Sequence, residues 1–211
     1  MRSYRERVVR PGERTALLAK PSAGEPVAVL PSATLPGSTP SRAALIELLR
    51  LAYSGELAAA HAYRGHSRSV ADPEERRAIA EIEREEWHHR ELVGRMLAEL
   101  GAGPSRGRER RAAVIGRVLG ALCHVTGWLA PMYGAGRLER RNIREYEQAA
   151  RLARESGHER WVDCLLTMAE VEWEHERYFR ARVLSHPLGR RLPIWPAPPP
   201  KESIRATPVP G

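Results

Sequence analysis

A chain of 211 residues is long enough for one domain with a sizeable core, and two cysteines, Cys123 and Cys164, cannot build a disulfide framework. The formal charge of +8 looks like a polyanion-binding signature until it is located, because six basic against three acidic groups fall in residues 1–40 and four against one in 186–211. Only +2 is left for residues 41–185, and with Lys20 and Lys201 the only lysines, the arginine bias reads as genomic composition rather than as a nucleic-acid surface.

Residues 1–40 hold prolines at 11, 21, 26, 31, 36 and 40 among Gly, Ser and Thr. Such a segment buries too little apolar surface to offset its ordering entropy and predicts a disordered basic arm. Met1–Arg14 is arginine-rich and broken by Pro11-Gly12, so no secretory leader is expected and a reducing cytosol is the expected compartment.

Ser41, as N-cap, predicts a first helix through Ala43–Ser69, with Leu45, Leu48, Leu49, Ala52, Glu56, Ala59 and Tyr63 on its inner face. Asp72-Pro73-Glu74-Glu75 opens a second helix with a cap, a first-turn proline and first-turn acids. Its inner stripe is Ile79, Ile82, Glu86, His89, Val93, Met96 and Leu97, and Gly101-Ala102-Gly103-Pro104 stops it.

Residues 105–131 form a long crossover, in which Arg106, Arg108, Arg110, Arg111 and Arg117 lead into the apolar run Val118–Tyr133. That run is too short and interrupted to span a membrane, and predicts an extra helix covering the core or lying against anionic headgroups. A third bundle helix is expected over Tyr133–Glu155, ended by Ser156-Gly157, and a fourth over Glu159–Leu184. The proline-rich segment from His186 cannot continue it. The architecture expected is therefore all-α: a four-helix bundle over 41–185, an extra apolar helix in its crossover, and disordered tails at 1–40 and 186–211.

Two Glu-x-x-His pairs, Glu86/His89 and Glu172/His175, are each preceded by a single glutamate, Glu56 at 30 residues and Glu139 at 33. In a helix, i and i+3 share a face about one turn apart, so each pair aims a carboxylate and an imidazole at one point. Four carboxylates and two imidazoles converging in a bundle form the ligand set of a ferritin-like di-iron site. Oxygen donors with imidazoles and no thiolate suit two irons, or manganese, rather than structural zinc.

Glutamate also precedes His88 and His158 by three residues. His158 follows the helix break at Ser156-Gly157, and Glu85/His88 competes with Glu86/His89 because only one register can face inward. Each ligand histidine needs its outer nitrogen held, and Tyr63, Asn142 and Tyr146 are the candidate supports, with Glu83 expected in solvent. His61, His66, His88 and His124 read as surface or satisfied core residues.

Leu138-Glu139 with Tyr146 seven residues on and Gln148 close behind, Gly55-Glu56 opening the first site helix, and the glycine-rich apolar stretch before Glu139 resemble the demethoxyubiquinone hydroxylases over residues 42–182. The resemblance implies metal ligation by Glu56, Glu86, His89, Glu139, Glu172 and His175, with Glu86 and Glu172 bridging. It implies a dioxygen-activating monooxygenase of ubiquinone biosynthesis, taking a quinone-like or other small hydrophobic substrate from the membrane side. Peripheral membrane contact would run through residues 106–133. The chain departs from those relatives in its N-terminal arm and in ending on a proline-rich basic tail instead of an apolar helix.

Three other readings share the bundle. A tRNA-modifying di-iron hydroxylase would use the basic tails as phosphate contacts. A ferritin- or rubrerythrin-like protein would oxidise iron or reduce peroxide. A metal-binding scaffold would keep the ligands without the chemistry.

Overall fold

The computed structural model describes residues 40–206; the arm expected at 1–40 lies outside the described residues apart from Pro40. Six α-helices follow: α1 (Pro40–Ser69), α2 (Pro73–Glu99), α3 (Arg106–Leu122), α4 (Leu129–Glu155), α5 (Val162–Ser185) and the short α6 (Ser203–Ala206). No strand occurs among the described residues. Helices α1, α2, α4 and α5 build the bundle as two hairpins, with α3 in the crossover packed on α1.

The stop and start signals act as their chemistry predicts. The Asp72 carboxylate accepts from the backbone N–H groups of Glu74 and Glu75, both at 2.8 Å, and caps α2. Gly101 takes φ +65°, which lets its N–H reach Ala98 O and that of Ala102 reach Leu97 O, satisfying the last carbonyls of α2. Gly157, at φ +78°, closes α4 in the same manner onto Arg154 O and, through His158 N–H, Ala153 O.

Four expectations are corrected. The first helix starts at Pro40, so Ser41 lies in its first turn, and its hydroxyl donates to Glu155 at 2.9 Å instead of capping α1. The third bundle helix starts at Leu129, with Pro131 in the first turn, where its missing N–H costs nothing. The apolar run 118–133 is not one helix: α3 ends at Leu122, and Gly127, at φ +76°, lies in the turn before α4.

The fourth correction concerns the proline-rich C-terminus, which through residue 206 is docked rather than disordered. Trp195 and Ile204 are buried. Trp195 Nε1 donates to Glu176 at 2.7 Å, and the Arg180 guanidinium donates to the carbonyls of Trp195 and Pro196. Tyr133 Oη donates to Pro193 O, and Trp173 Nε1 to Pro199 O. Two apolar anchors and side-chain donors for the proline carbonyls replace the hydrogen bonds a helix would have supplied.

Helix α3 inverts the usual amphipathic arrangement. Its buried residues are Ala112, Gly116 and Gly120, and a Cβ at Gly116 would overlap the Ala58 carbonyl of α1. The close approach brings backbone to backbone, and it turns Val114, Ile115, Val118, Leu119 and Leu122 outward.

The core has two apolar ends. One gathers Leu45, Leu49, Val93, Met96, Leu97, Ile143, Leu165 and Met168; the other gathers Tyr63, Ile79, Ile82, Met132, Phe179 and Val183. Between them each bundle helix interrupts its apolar stripe with acid: Glu56, Glu86, Glu139 and Glu172, all 0–3% exposed. A layer of buried carboxylates sandwiched by hydrocarbon is costly unless something neutralises it.

Candidate metal centre

All six predicted ligands meet in that layer. One atom from each of Glu56, Glu86, His89 and Glu172 lies within 4.8 Å of the others, and the same holds for Glu86, Glu139, Glu172 and His175. Glu86 and Glu172 belong to both groups and would be shared if each group held an ion. The inward register is His89, buried at 3% exposure beside Glu86.

The inward ring atoms are both Nδ1. His175 Nδ1 lies 3.4 Å from Glu86 Oε1 and 3.7 Å from Glu172 Oε2. His89 Nδ1 lies 2.9 Å from Glu172 Oε1, yet neither atom has a hydrogen-bond partner, so the pair is close without the alignment of a bond. Both oxygens of Glu86, Glu56 Oε2 and His175 Nδ1 are likewise buried without partners. Most buried polar atoms are satisfied, and six orphans in one layer is a concentration that needs an occupant. Two divalent cations would match the charge of four carboxylates and give these atoms a bond each. The residues therefore fit a dinuclear centre.

The protonation pattern agrees. Burial, then the nearby Glu86, raises the Glu56 carboxyl well above its ordinary value, and burial with Glu172 does the same for Glu139. For Glu172 burial works in the same direction, but contact with His175, His89 and Glu139 outweighs it and holds this carboxyl well below the usual range. His175 is displaced down by burial and further up by Glu172, Glu85 and Glu86, ending well above the ordinary imidazole value. Burial that disfavours charged carboxylates is the penalty that bound cations in this layer would offset.

Tyr63, Asn142 and Tyr146, expected to hold the outer histidine nitrogens, instead meet the carboxylates of the layer from across the bundle. Tyr63, seven residues after Glu56, donates its hydroxyl to Glu139; Tyr146, seven after Glu139, donates to Glu56. Asn142 Nδ2 donates to Glu139 Oε2 at 3.0 Å and lies 3.4 Å from Glu172 Oε2. Glu83 pairs with Arg64 at 2.8 Å, is partly buried rather than in solvent, and belongs to neither ligand group.

Sequence reasoning missed two residues. Glu85, read only as part of a competing register, is buried and lies 2.7 Å from His175 Nε2, fixing the outer nitrogen of a ligand on another helix. Its signal was its position directly before Glu86, one residue round from the inward face. His66, read as a surface or satisfied residue, is 2% exposed with Nε2 unpartnered, stacked with Tyr63 and Phe179. Nothing in its spacing marked it.

A helical bundle with two Glu-x-x-His pairs and two single glutamates around one buried layer defines the ferritin-like di-iron carboxylate class. Within that class the chain belongs to the family of the ubiquinone biosynthesis protein COQ7, which matches residues 43–182. That is a di-iron hydroxylase family involved in ubiquinone biosynthesis. No curated protein and no solved structure matches the chain. The family match ends before the docked segment at 187–206.

Proposed function

We propose that this protein is a dioxygen-dependent di-iron monooxygenase acting on a quinone-like or similarly hydrophobic ring, with Glu56, Glu86, His89, Glu139, Glu172 and His175 as its metal ligands. The observation that carries the reading is the set of buried, unpartnered donor atoms on four helices, in a chain of a hydroxylase family. Iron is the metal this donor set favours, with manganese the other it suits. Once bound, a pair of irons supplies reductive activation of dioxygen, chemistry that side chains alone do not provide.

The chain's own residues prepare the centre. Tyr63 and Asn142 hold the two oxygens of Glu139, while Tyr146 holds one oxygen of Glu56 and leaves the other without a partner. Glu85 fixes the His175 ring so that Nδ1 faces inward. Phe179, Ile79, Ile82 and Met132 close the layer on one side with hydrocarbon and exclude water from it.

A hydrophobic substrate is most concentrated in a lipid surface, and α3 supports contact with one. Val114, Ile115, Val118, Leu119 and Leu122 face outward beside the exposed Arg106, Arg110, Arg111 and Arg117. No described helix is long and apolar enough to cross a membrane, so the contact would be peripheral, at the inner face of the membrane. The RNA reading loses two of the four cations of 186–211, because Lys201 pairs with Glu174 and Arg205 with Asp163 and Glu170. Those tail cations are already neutralised within the chain.

Metal analysis of the purified chain should find about two irons or manganese ions per protein, and oxygen uptake should rise on adding a hydrophobic quinone, with a hydroxylated product formed. A chain that takes up neither metal removes the reading. Leu119→Asp should reduce flotation with anionic vesicles while leaving metal content unchanged.

A further inference from the structure

The two halves of the metal layer are related by an approximate twofold exchange of α1 with α4 and α2 with α5. Glu56 corresponds to Glu139, Glu86 to Glu172, His89 to His175 and Tyr63 to Tyr146. The ligands and tyrosines obey that symmetry. Their other supports do not.

Glu85, directly before Glu86, lies 2.7 Å from the outer nitrogen of His175. The corresponding position before Glu172 is Val171, an aliphatic side chain that can hold nothing for His89. Asn142, one turn after Glu139, donates to that carboxylate at 3.0 Å and sits 3.4 Å from Glu172. Its counterpart one turn after Glu56 is Ala59, buried in the apolar cluster. Glu139 thus has a donor on each oxygen, Tyr63 on one and Asn142 on the other, whereas Glu56 has Tyr146 on Oε1 and no partner on Oε2.

Resting on the dinuclear reading above, we infer that the two ion positions are unequal: the position bounded by Glu139, Glu172 and His175 fills first and holds its ion more tightly, with Glu85 and Asn142 as positioning residues, and the position bounded by Glu56, Glu86 and His89 is the exchangeable one. The physical reason is preorganisation. A ligand whose ring or carboxylate is already fixed loses less freedom on binding, and a carboxylate on the outer nitrogen makes the imidazole a better donor. The Glu85 contact needs no rearrangement on loading, because it uses Nε2 and leaves Nδ1 for the ion. A protein with one ion per chain carries it at His175.

Cobalt(II) titration of the full chain, stripped of metal by chelation and followed by calorimetry and visible absorption, tests this directly. The wild type should bind two ions in steps separated by at least roughly tenfold. Glu85→Val should weaken the tighter step by roughly 10–100-fold, as expected for loss of an outer partner, and leave the weaker step within about threefold. Glu85→Gln, which keeps an acceptor on Nε2, should recover most of the loss. Val171 is only partly buried, so Val171→Glu should be accommodated and should tighten the weaker step alone. That variant keeps the inference testable should Glu85→Val fold poorly. Two equal steps in the wild type would overturn the inference while leaving a dinuclear centre intact, as would a Glu85→Val effect confined to the weaker step, or no change in the weaker step with Val171→Glu. Binding of no metal at all would instead remove the dinuclear reading itself.

Discussion

Tyr63 and Tyr146 exchange partners across the bundle: each follows one ligand glutamate by seven residues on its own helix and donates its hydroxyl to the other helix's glutamate. A seven-residue step is about two turns, so each hydroxyl lies on the same face as its own helix's ligand but one layer along, where the neighbouring helix crosses. The exchange ties α1 to α4 at both ends of the metal layer. Burial and the facing Glu56 carboxyl raise the Tyr146 phenol well above its ordinary value, keeping it protonated and donating.

Tyr63→Phe and Tyr146→Phe are therefore expected to cost similar amounts, about 1–3 kcal/mol each, the range for a buried hydrogen bond to a carboxylate. Chemical denaturation of the chelated protein measures this. Because the two bonds join the same helices, the double variant should cost less than the sum. A strictly additive result would show that the tyrosines act independently.

Helix α4 carries Glu145 and Glu147 close behind Glu139, and the structure separates the three. Glu139 is fully buried in the layer, Glu145 pairs with Arg141 at 2.5 Å on the surface, and Glu147 lies outside both ligand groups. Glu139→Ala is expected to lower metal affinity by at least roughly tenfold. Glu145→Ala removes only a solvent-screened i,i+4 pair and should change stability by less than about 0.5 kcal/mol with no effect on metal content. Metal analysis after dialysis distinguishes the two, and the opposite ranking would displace Glu139 from the site.

The ligands were legible because helical periodicity turns spacing into a common direction. Glu86 and His89, or Glu172 and His175, need only their own helix to be understood. Glu85 was not legible as a support for His175, since that contact is made between α2 and α5 and depends on how the helices rotate against each other. Helix α3 misled for a related reason: glycine carries no hydropathy signal, yet Gly116 and Gly120 decide which side of α3 meets α1. At the C-terminus, proline content correctly excluded a continued helix. It did not exclude a docked strap, whose order comes from Trp195, Ile204 and donors on Tyr133, Trp173 and Arg180.

His66 gives the pH dependence with the clearest sign. Burial lowers its imidazole from 6.5 to about 4, so between those values the unfolded chain binds a proton that the folded chain does not. The neutral ring's contribution is present above pH 6.5 and is lost as pH falls toward 4, amounting to about 3 kcal/mol at full protonation of the unfolded state. His66→Phe keeps the stack on Tyr63 and Phe179 but cannot take up the proton. Its unfolding free energy should fall less than the wild type's between pH 7 and pH 5. Equal acid sensitivity in both would mean that His66 is protonated in the fold.

The strap makes a further test possible at Gly136 of α4, one turn before Glu139. A Cβ built there would overlap the Trp195 ring and lie 3.2 Å from Phe179 Cβ, so the glycine forms a notch that the indole fills. Trp195→Ala should cost about 3 kcal/mol, the lower end for a buried tryptophan, because the strap can detach rather than leave a void. It should also expose residues 187–206 to protease. Gly136→Ala adds helix propensity worth about 1 kcal/mol, but in the wild type the methyl displaces the ring at a net cost of about 1–3 kcal/mol. With Trp195 already removed the same methyl enters vacated space, and the substitution should become neutral or stabilising. The two changes should therefore show a coupling energy above about 1 kcal/mol in a double-mutant cycle read by denaturation. Additivity within about 0.5 kcal/mol would mean that the indole does not occupy the notch in solution, and that the strap's order rests on Ile204, the ion pairs of Lys201 and Arg205 and the donors on Tyr133, Trp173 and Arg180.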